Sequence, residues 1–221
     1  MNGSRKPLTV VLYQDVLCAW CYIAETRLDA LKAEFGDAVH WKIRPYPLRL
    51  QEALPSEREL ADWVEEIRRA RQEPEGARLS ADLWTSNDPP RSSIPALAAL
   101  EAAKLQGLQA RHRLARAMQR AALEQGFNVT RPDVVFELAT TTALEMNRFA
   151  AAYKSEETRR LIVEEHRLAV HRGIKGVPSL VIGGKWMVSG LRETREYREL
   201  IMDCLNKIER AGPLRAERTL H

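Results

Sequence analysis

Cysteine is scarce in this chain, with three residues of 221, which excludes a fold stapled by several disulfides. With 45% hydrophobic residues, a chain of this length buries about 70% of its unfolded surface and needs no such staples. It also lacks an apolar run near the roughly 18 residues that span a bilayer. Residues 1–16 hold only a short apolar segment, too short for a secretory signal core. We therefore expect a cytoplasmic protein with no membrane partner.

The sequence also lacks a block of charge of one sign. Its 34 basic and 30 acidic side chains leave a net charge of +4, and the two signs alternate along stretches such as EEIRRARQEPEGAR. This interleaving is typical of solvated helix surfaces, so we expect no nucleic-acid partner.

The chain opens with the pattern of a strand, a helix and a second strand. Residues 8–15, LTVVLYQD, carry the β-branched and aromatic side chains of a buried strand. Residues 18–35 have apolar side chains at helical spacing, and Gly36 is a natural stop. Residues 39–44 then alternate between apolar and polar side chains until Pro45 ends the strand pattern.

The next stretch, residues 57–172, shows almost only helical signals, and strand signals return after it. Residues 179–182 and 185–189 predict two short strands that two glycines join as a hairpin. The sequence therefore predicts an α/β domain, residues 8–50 and 174–210, split by an all-helical inserted domain at 57–172.

Apolar side chains near the C-terminus are expected to fill the core of the α/β domain. Trp186 and Met187 belong to this group, on the second hairpin strand. A last amphipathic helix should bury one face, which carries Tyr197, Leu200, Ile201, Cys204, Leu205 and Ile208. The tail from Gly212 onward is expected to fray.

Two of the three cysteines, Cys18 and Cys21, lie three positions apart where the first helix should begin. Unpaired backbone N–H groups and the positive end of the helix dipole favour an anion there. Such surroundings lower a thiol pKa from about 8.5 to roughly 3.5–7.5. One sulfur can then attack a disulfide while the other, one turn further in, resolves the mixed disulfide.

Two other interpretations of the pair stay open. A zinc site needs two more ligands, and the sequence offers no second pair. Cys204 stands alone, and His166 and His171 lie five residues apart, a spacing that does not share a helix face well. A pair of inert core cysteines is the remaining alternative.

Two motifs together carry a resemblance to a known family. The stretch DVLCAWCYIAETRL, followed well downstream by GIKGVPSLVIGGKWMVSG, resembles the DsbA family of thioredoxin-fold disulfide oxidoreductases, especially its cytoplasmic FrnE-like branch. More remotely, it is similar to the 2-hydroxychromene-2-carboxylate isomerases and the kappa-class glutathione transferases. The resemblance covers residues 8 to about 208 and implies a thioredoxin fold split by a helical insertion.

The resemblance also implies roles for four residues, and the position of Trp20 between the cysteines suggests a role for a fifth. Cys18 would be the nucleophile and Cys21 the resolving thiol, with a cis Val177–Pro178 bond packed against them. A cis bond costs only about 0.5–1 kcal/mol before proline, and the backbone of Val177 would meet an extended substrate. An ordinary trans proline in an edge strand is the alternative. Trp20 would either contact substrate or simply cover the helix end.

Departures from the family pattern bear on the chemistry. Ala19 stands where FrnE-like proteins commonly have proline, which leaves the redox potential and direction open. Ser92 and Ser93 lie in the region where that branch often has an asparagine and a histidine. The glutathione-using isomerases have serine in place of Cys18, so the cysteine favours redox chemistry.

We therefore predict a disulfide oxidoreductase whose CAWC pair exchanges disulfides with protein or small-thiol substrates, without a cofactor or metal. Glutathione and a second copy of the chain are candidate partners. One alternative is a glutathione-dependent isomerase or transferase of the kappa type, in which the second cysteine is incidental. The other is a binding or chaperone module without redox turnover. The substrate, the direction of electron flow and the role of Cys204 stay open.

Overall fold

A four-stranded sheet forms the centre of the fold. Its strands are β1, Leu8–Gln14, β2, Val39–Pro45, β3, Ser179–Ile182, and β4, Trp186–Ser189, and they lie in the order β2-β1-β3-β4. This computed structural model describes residues 7–211, with side chains described through residue 208. β1 pairs with β2 in parallel and with β3 antiparallel, and β4 pairs antiparallel with β3.

Helix α1, Ala19–Phe35, makes the crossover that the parallel β1–β2 pair requires. It begins directly after β1, with Cys18 as its N-cap. It ends at Gly36, whose φ of 46° lies in a region that favours glycine. This strand, helix and strand unit has the order that the sequence predicts, and the predicted fold class, an α/β domain split by a helical insertion, is confirmed.

Between β2 and β3, the described residues form helices. Pro132 occupies the first turn of one of them, and Ser155 caps another by accepting a hydrogen bond from the Glu157 N–H at 3.2 Å. No helix in the described part of the chain is long and apolar enough to cross a membrane. The helix bounds are Glu57–Ala70 for α2, Asp82–Thr85 for α3, Ile94–Lys104 for α4, Leu108–Leu123 for α5, Pro132–Thr140 for α6, Met146–Lys154 for α7 and Glu156–His171 for α8.

The helical insertion shares one hydrophobic core with the start of α1. Tyr22 and Ile23 of α1 lie in the same buried cluster as Trp84, Leu97 and Met118 of the insertion. A second cluster joins the sheet to the other end of α1 and to the last helix, α9, Thr194–Ala211. The insertion is therefore packed against the end of α1 that carries the cysteine pair.

Two expectations about apolar side chains near the C-terminus are wrong. Trp186 and Met187 are 38% and 42% exposed, because β4 is an edge strand, and the Trp186 ring lies under the Lys207 ammonium at 5.2 Å. Leu200 and Ile208 are also exposed. The buried face of α9 therefore holds fewer side chains than predicted: Tyr197, Ile201 and Cys204 are buried, and Leu205 is partly buried. The tail from Gly212 lies outside the described residues.

Helix α2 begins with a capping box. The hydroxyl of Ser56 accepts a hydrogen bond from the Glu59 N–H at 3.3 Å, and the Glu59 carboxylate accepts one from the Ser56 N–H at 2.8 Å. This second bond is the largest cause that lowers the pKa of Glu59 to about 2. The capping box fixes the start of α2, which lines the candidate site.

Replacing Ser56 with alanine should remove the cap and lower the free energy of unfolding by about 1 kcal/mol. Urea denaturation at pH 7 measures this loss, and Ser56→Thr, which keeps a capping hydroxyl, is the control. Folding lowers the pKa of Glu59. The stability that its ionised carboxylate contributes is therefore present above pH 4.5 and is lost as the pH falls towards 2. Equal losses for the alanine and threonine variants would contradict the capping role.

Candidate active site

The start of α1 holds the Cys18 sulfur against the backbone N–H of Cys21. Cys18 has extended backbone angles, φ −90° and ψ 114°, as an N-cap residue does. Its Sγ accepts a hydrogen bond from the Cys21 N–H at 3.2 Å, so the sulfur takes the place of a capping oxygen. Both cysteines are free thiols. A negative charge on this sulfur would be stabilised by the N–H group and the helix dipole.

Cys21 lies behind Cys18, one turn into the helix. Its side chain is fully buried, whereas Cys18 retains 4% exposure. Burial is the main cause that raises the pKa of the Cys21 thiol well above its ordinary value. The hydrogen bond to Cys18 and the negative charge of Asp15 raise the Cys21 pKa further. Cys21 is therefore protonated at neutral pH in this state of the pair.

The loop before β3 faces the Cys18 sulfur. The Cys18 thiol donates to the carbonyl oxygen of Val177, with 3.7 Å between sulfur and oxygen. The Val177–Pro178 peptide bond is cis. The Gly190 N–H donates to the Pro178 carbonyl at 2.8 Å, which fastens the loop to the end of β4. The structure thus brings two of the predicted site residues, Cys18 and Val177, into direct contact.

A cleft of about 300 Å³ opens beside Cys18. Predominantly apolar side chains from α1, α2 and three loops surround it. Of the predicted site residues, Cys18, Trp20 and Val177 line the cleft, while Cys21 and Pro178 are buried and do not. The full lining is Leu17, Cys18, Ala19, Trp20, Leu48, Trp63, Glu66, Ile67, Gly176 and Val177.

Trp20 both lines this cleft and packs against the core that α1 shares with the insertion. Its indole Nε1–H donates to the Glu66 carboxylate on α2. Trp63, also on α2, lines the same cleft and stacks on Trp84, with ring centroids 4.8 Å apart and planes at 12°. Neither Trp63 nor Glu66 was predicted as a site residue, although Trp63, Glu66 and Ile67 have the spacing of one helix face.

Asp15 is another residue beside the site that was not predicted from the sequence. Its fully buried carboxylate accepts hydrogen bonds from the Leu17 N–H at 3.0 Å and the Leu48 N–H at 2.8 Å. Burial raises the pKa of Asp15, and these hydrogen bonds oppose the rise. The bond to Leu17 is an Asx-type turn that the position after a strand could have indicated. Asp15 therefore ties together two loops that line the cleft.

Comparisons with known proteins agree with this geometry. A family model described as the DSBA-like thioredoxin domain matches residues 9–201. The chain belongs to this family. Among curated relatives of this DSBA-like protein is the ClpXP adapter protein SpxH of Bacillus subtilis, 28% identical over 181 residues. That match covers 80% of this chain and 58% of the relative, so the chain spans less than two thirds of the relative's length.

Solved structures of other proteins share the fold of this DSBA-like chain. The cytosolic disulfide reductase DsbM from Pseudomonas aeruginosa, solved with GSH, is 21% identical with a TM-score of 0.66. The superposition covers 92% of this chain and 98% of DsbM. A candidate protein disulfide isomerase from Nitrosomonas europaea is 17% identical with a TM-score of 0.77, covering 94% of this chain and 100% of its own. At these identities the likeness shows the fold alone.

Proposed function

We propose that this protein is a thiol–disulfide oxidoreductase in which Cys18 and Cys21 form a redox pair. The observation that carries the proposal is the position of the Cys18 sulfur. This sulfur accepts a hydrogen bond from the Cys21 N–H and lies 3.7 Å from the Val177 carbonyl oxygen. It also borders an apolar cleft, while the Cys21 thiol is fully buried. This arrangement gives the two thiols different environments, and we assign them different roles on that basis.

In the reducing direction, the Cys18 thiolate attacks one sulfur of a substrate disulfide. The substrate S–S bond breaks, a mixed disulfide forms, and the leaving thiolate takes up a proton. Cys21 then loses its proton and attacks the Cys18 sulfur, which releases the second substrate thiol. The pair ends as a Cys18–Cys21 disulfide, and the substrate has gained two electrons and two protons. The reverse sequence runs when the pair starts oxidised.

The substrate chain is proposed to lie across the cleft against Trp20 and Val177, while the buried Pro178, through its cis bond, shapes the loop that presents Val177. Trp20 offers a flat apolar contact at the mouth of the cleft. An extended substrate next to Val177 can form backbone hydrogen bonds with the loop, as peptides do at exposed strand edges. Once the Cys18 thiol is deprotonated, it no longer donates to the Val177 carbonyl, which becomes free to accept from substrate.

We further propose that the protein acts in the cytoplasm as a member of the FrnE-like branch. The DsbM structure supports this setting by analogy, since it is described as a cytosolic disulfide reductase and was solved with GSH. The proposed domain limits are residues 8–50 and 174–210 for the thioredoxin-like part and 57–172 for the insertion. A homodimer is a separate proposal, and a measurement of the protein's mass in solution would test it.

Reduction of insulin disulfides by dithiothreitol tests the oxidoreductase proposal. We expect the wild type to accelerate the reaction, and Cys18→Ser to lower the added rate by roughly a hundredfold or more, to background. Cys204→Ser is the matched control, because Cys204 lies on α9 within the other core cluster, and it should keep the wild-type rate. Equal rates for wild type and Cys18→Ser would contradict the proposal.

A second candidate function is a binding role without thiol turnover, as the name of the SpxH relatives suggests. Exposed apolar side chains on the insertion favour a partner surface there, with Leu105 and Leu108 at 58% and 60% exposure. Stimulation of ClpXP proteolysis that persists in Cys18→Ser/Cys21→Ser, with no insulin reduction by the wild type, would favour this second candidate.

A further inference from the structure

One charged side chain stands in the otherwise apolar cleft. Among the described residues that line it, Glu66 is the one that carries a carboxylate, and no lysine, arginine or histidine lies among them. The side chain of Glu66 is only 36% exposed. A charge beside an apolar wall acts over a longer range than the same charge in open water. Any group that approaches Cys18 through the cleft therefore meets the field of this carboxylate.

The carboxylate of Glu66 is fixed in place by two hydrogen bonds. One oxygen accepts from the indole N–H of Trp20 and the other from the guanidinium of Arg69. Trp20 lies between the two cysteines, so the first bond connects the redox motif directly to α2. Arg69 is 53% exposed, so water screens its positive charge more than it screens the partly buried Glu66.

The walls near Glu66 also suit a cation. Two indole rings, Trp20 and Trp63, line the same cleft, and an indole face attracts an ammonium or guanidinium group. Stacking on Trp84 fixes the Trp63 ring. A cleft that holds one carboxylate and two indoles favours a positive charge on an apolar stem and opposes a negative charge.

We propose that Glu66 determines the charge preference of the site for its disulfide substrates. Disulfides with a neighbouring lysine or arginine and a large apolar side chain are favoured, and anionic disulfides such as oxidised glutathione are disfavoured. The inference deepens the proposed function, since it concerns substrates of the same cysteine. Its test is chosen to need no catalytic turnover.

The test uses two methanethiosulfonate reagents of opposite charge, one with a trimethylammonium group and one with a sulfonate group. In each reaction the Cys18 thiolate attacks the sulfenyl sulfur, a mixed disulfide forms and methanesulfinate leaves. A Cys21→Ser/Cys204→Ser background leaves Cys18 as the reacting thiol. The ratio of the cationic to the anionic rate is divided by the same ratio for free 2-mercaptoethanol, which removes the intrinsic difference between the reagents.

The normalised ratio should be well above one in this background and should fall roughly three- to tenfold with Glu66→Gln. Glutamine removes the charge but keeps an oxygen that can accept from Trp20. Glu65→Gln is the matched control, because Glu65 is the adjacent residue on the same helix and does not line the cleft. It pairs with Arg68 at 2.6 Å and, at 3.9 Å, with the same Arg69 that binds Glu66. This control should leave the ratio unchanged.

An equal ratio for Glu66→Gln and Glu65→Gln, or a starting ratio near one, would overturn the inference. Neither outcome would touch the oxidoreductase proposal, which the insulin assay tests separately. Conversely, a protein that fails to reduce insulin can still show the charge preference at Cys18. For the active protein, the ratio of kcat/KM for cystamine to that for oxidised glutathione should fall in the same direction with Glu66→Gln.

Discussion

Cys21→Ser should stop the reaction after its first chemical step. The variant keeps the Cys18 thiol at the cleft but has no thiol to break the mixed disulfide, so the substrate stays attached to Cys18. Incubation with a disulfide peptide should give one equivalent of covalent adduct per chain, measured by intact mass. Steady-state turnover should fall by roughly a hundredfold or more.

The same variant separates the oxidoreductase from the glutathione-dependent isomerase or transferase. In that alternative the second cysteine is incidental, so Cys21→Ser would retain full activity with glutathione and would bind it non-covalently. Cys21→Ala supplies a control for the serine hydroxyl and should behave as Cys21→Ser does. Full turnover in both variants, with no adduct, would count against a resolving role for Cys21.

Arg27→Met should cost the protein about 2–4 kcal/mol of unfolding free energy. The Arg27 side chain is 4% exposed and pairs with Glu73 at 2.6 Å, Glu75 at 2.9 Å and Glu193 at 3.3 Å. It also donates to the Arg192 carbonyl at 3.0 Å. Breaking a buried ion pair costs about 3–5 kcal/mol. The loss expected for Arg27→Met is somewhat smaller, because its carboxylate partners are partly exposed to water.

Urea denaturation measures the Arg27 effect, with Arg68→Met as the control. Arg68 pairs with Glu65 on the surface of α2, with 66% and 48% of the two side chains exposed, so its removal should cost less than about 1 kcal/mol. Comparable losses in the two variants would show that Arg27 is not a structural hub.

Acid pH gives a second test of the Arg27 cluster. The hydrogen bond from Arg27 is the largest cause that lowers the pKa of Glu75 below its ordinary value of 4.5. The stability that this pairing contributes is therefore present above pH 4.5 and is lost as the pH falls through the lowered pKa. Arg27→Met should flatten the fall of unfolding free energy over that acid range, whereas Arg68→Met should leave the part due to Glu75 intact.

Much of the fold could be predicted from local sequence patterns. The positions of β1, α1 and β3 follow from period-two and helical spacing, and the start of α8 follows from the serine before it, because these features depend on neighbours within one or two turns. Trp186 and Met187 were misplaced for a related reason. The alternation of β4 fixes which side chains share a face but does not say that the strand lies at an edge of the sheet.

The site could be predicted only in part. Cys18 and Cys21 stand out in the sequence because their spacing and position at a helix start are local features. The cleft depends on α2, about 45 residues later, whose Trp63 and Glu66 line the cleft beside Cys18 because the insertion packs onto α1. Arg27 likewise looks like one of many surface charges, since its three carboxylate partners are distant in sequence. No periodic pattern encodes such contacts, which arise from tertiary packing.

The most direct test of the account is a redox titration of Cys204→Ser in glutathione buffers, read by mass spectrometry of alkylated peptides. We predict one two-electron transition in which Cys18 and Cys21 lose their thiols together and form a disulfide with each other. The ratio of oxidised to reduced protein should change tenfold for about every 30 mV. Two thiols that stay separately alkylatable across the whole range would contradict the redox pair on which the proposed function rests.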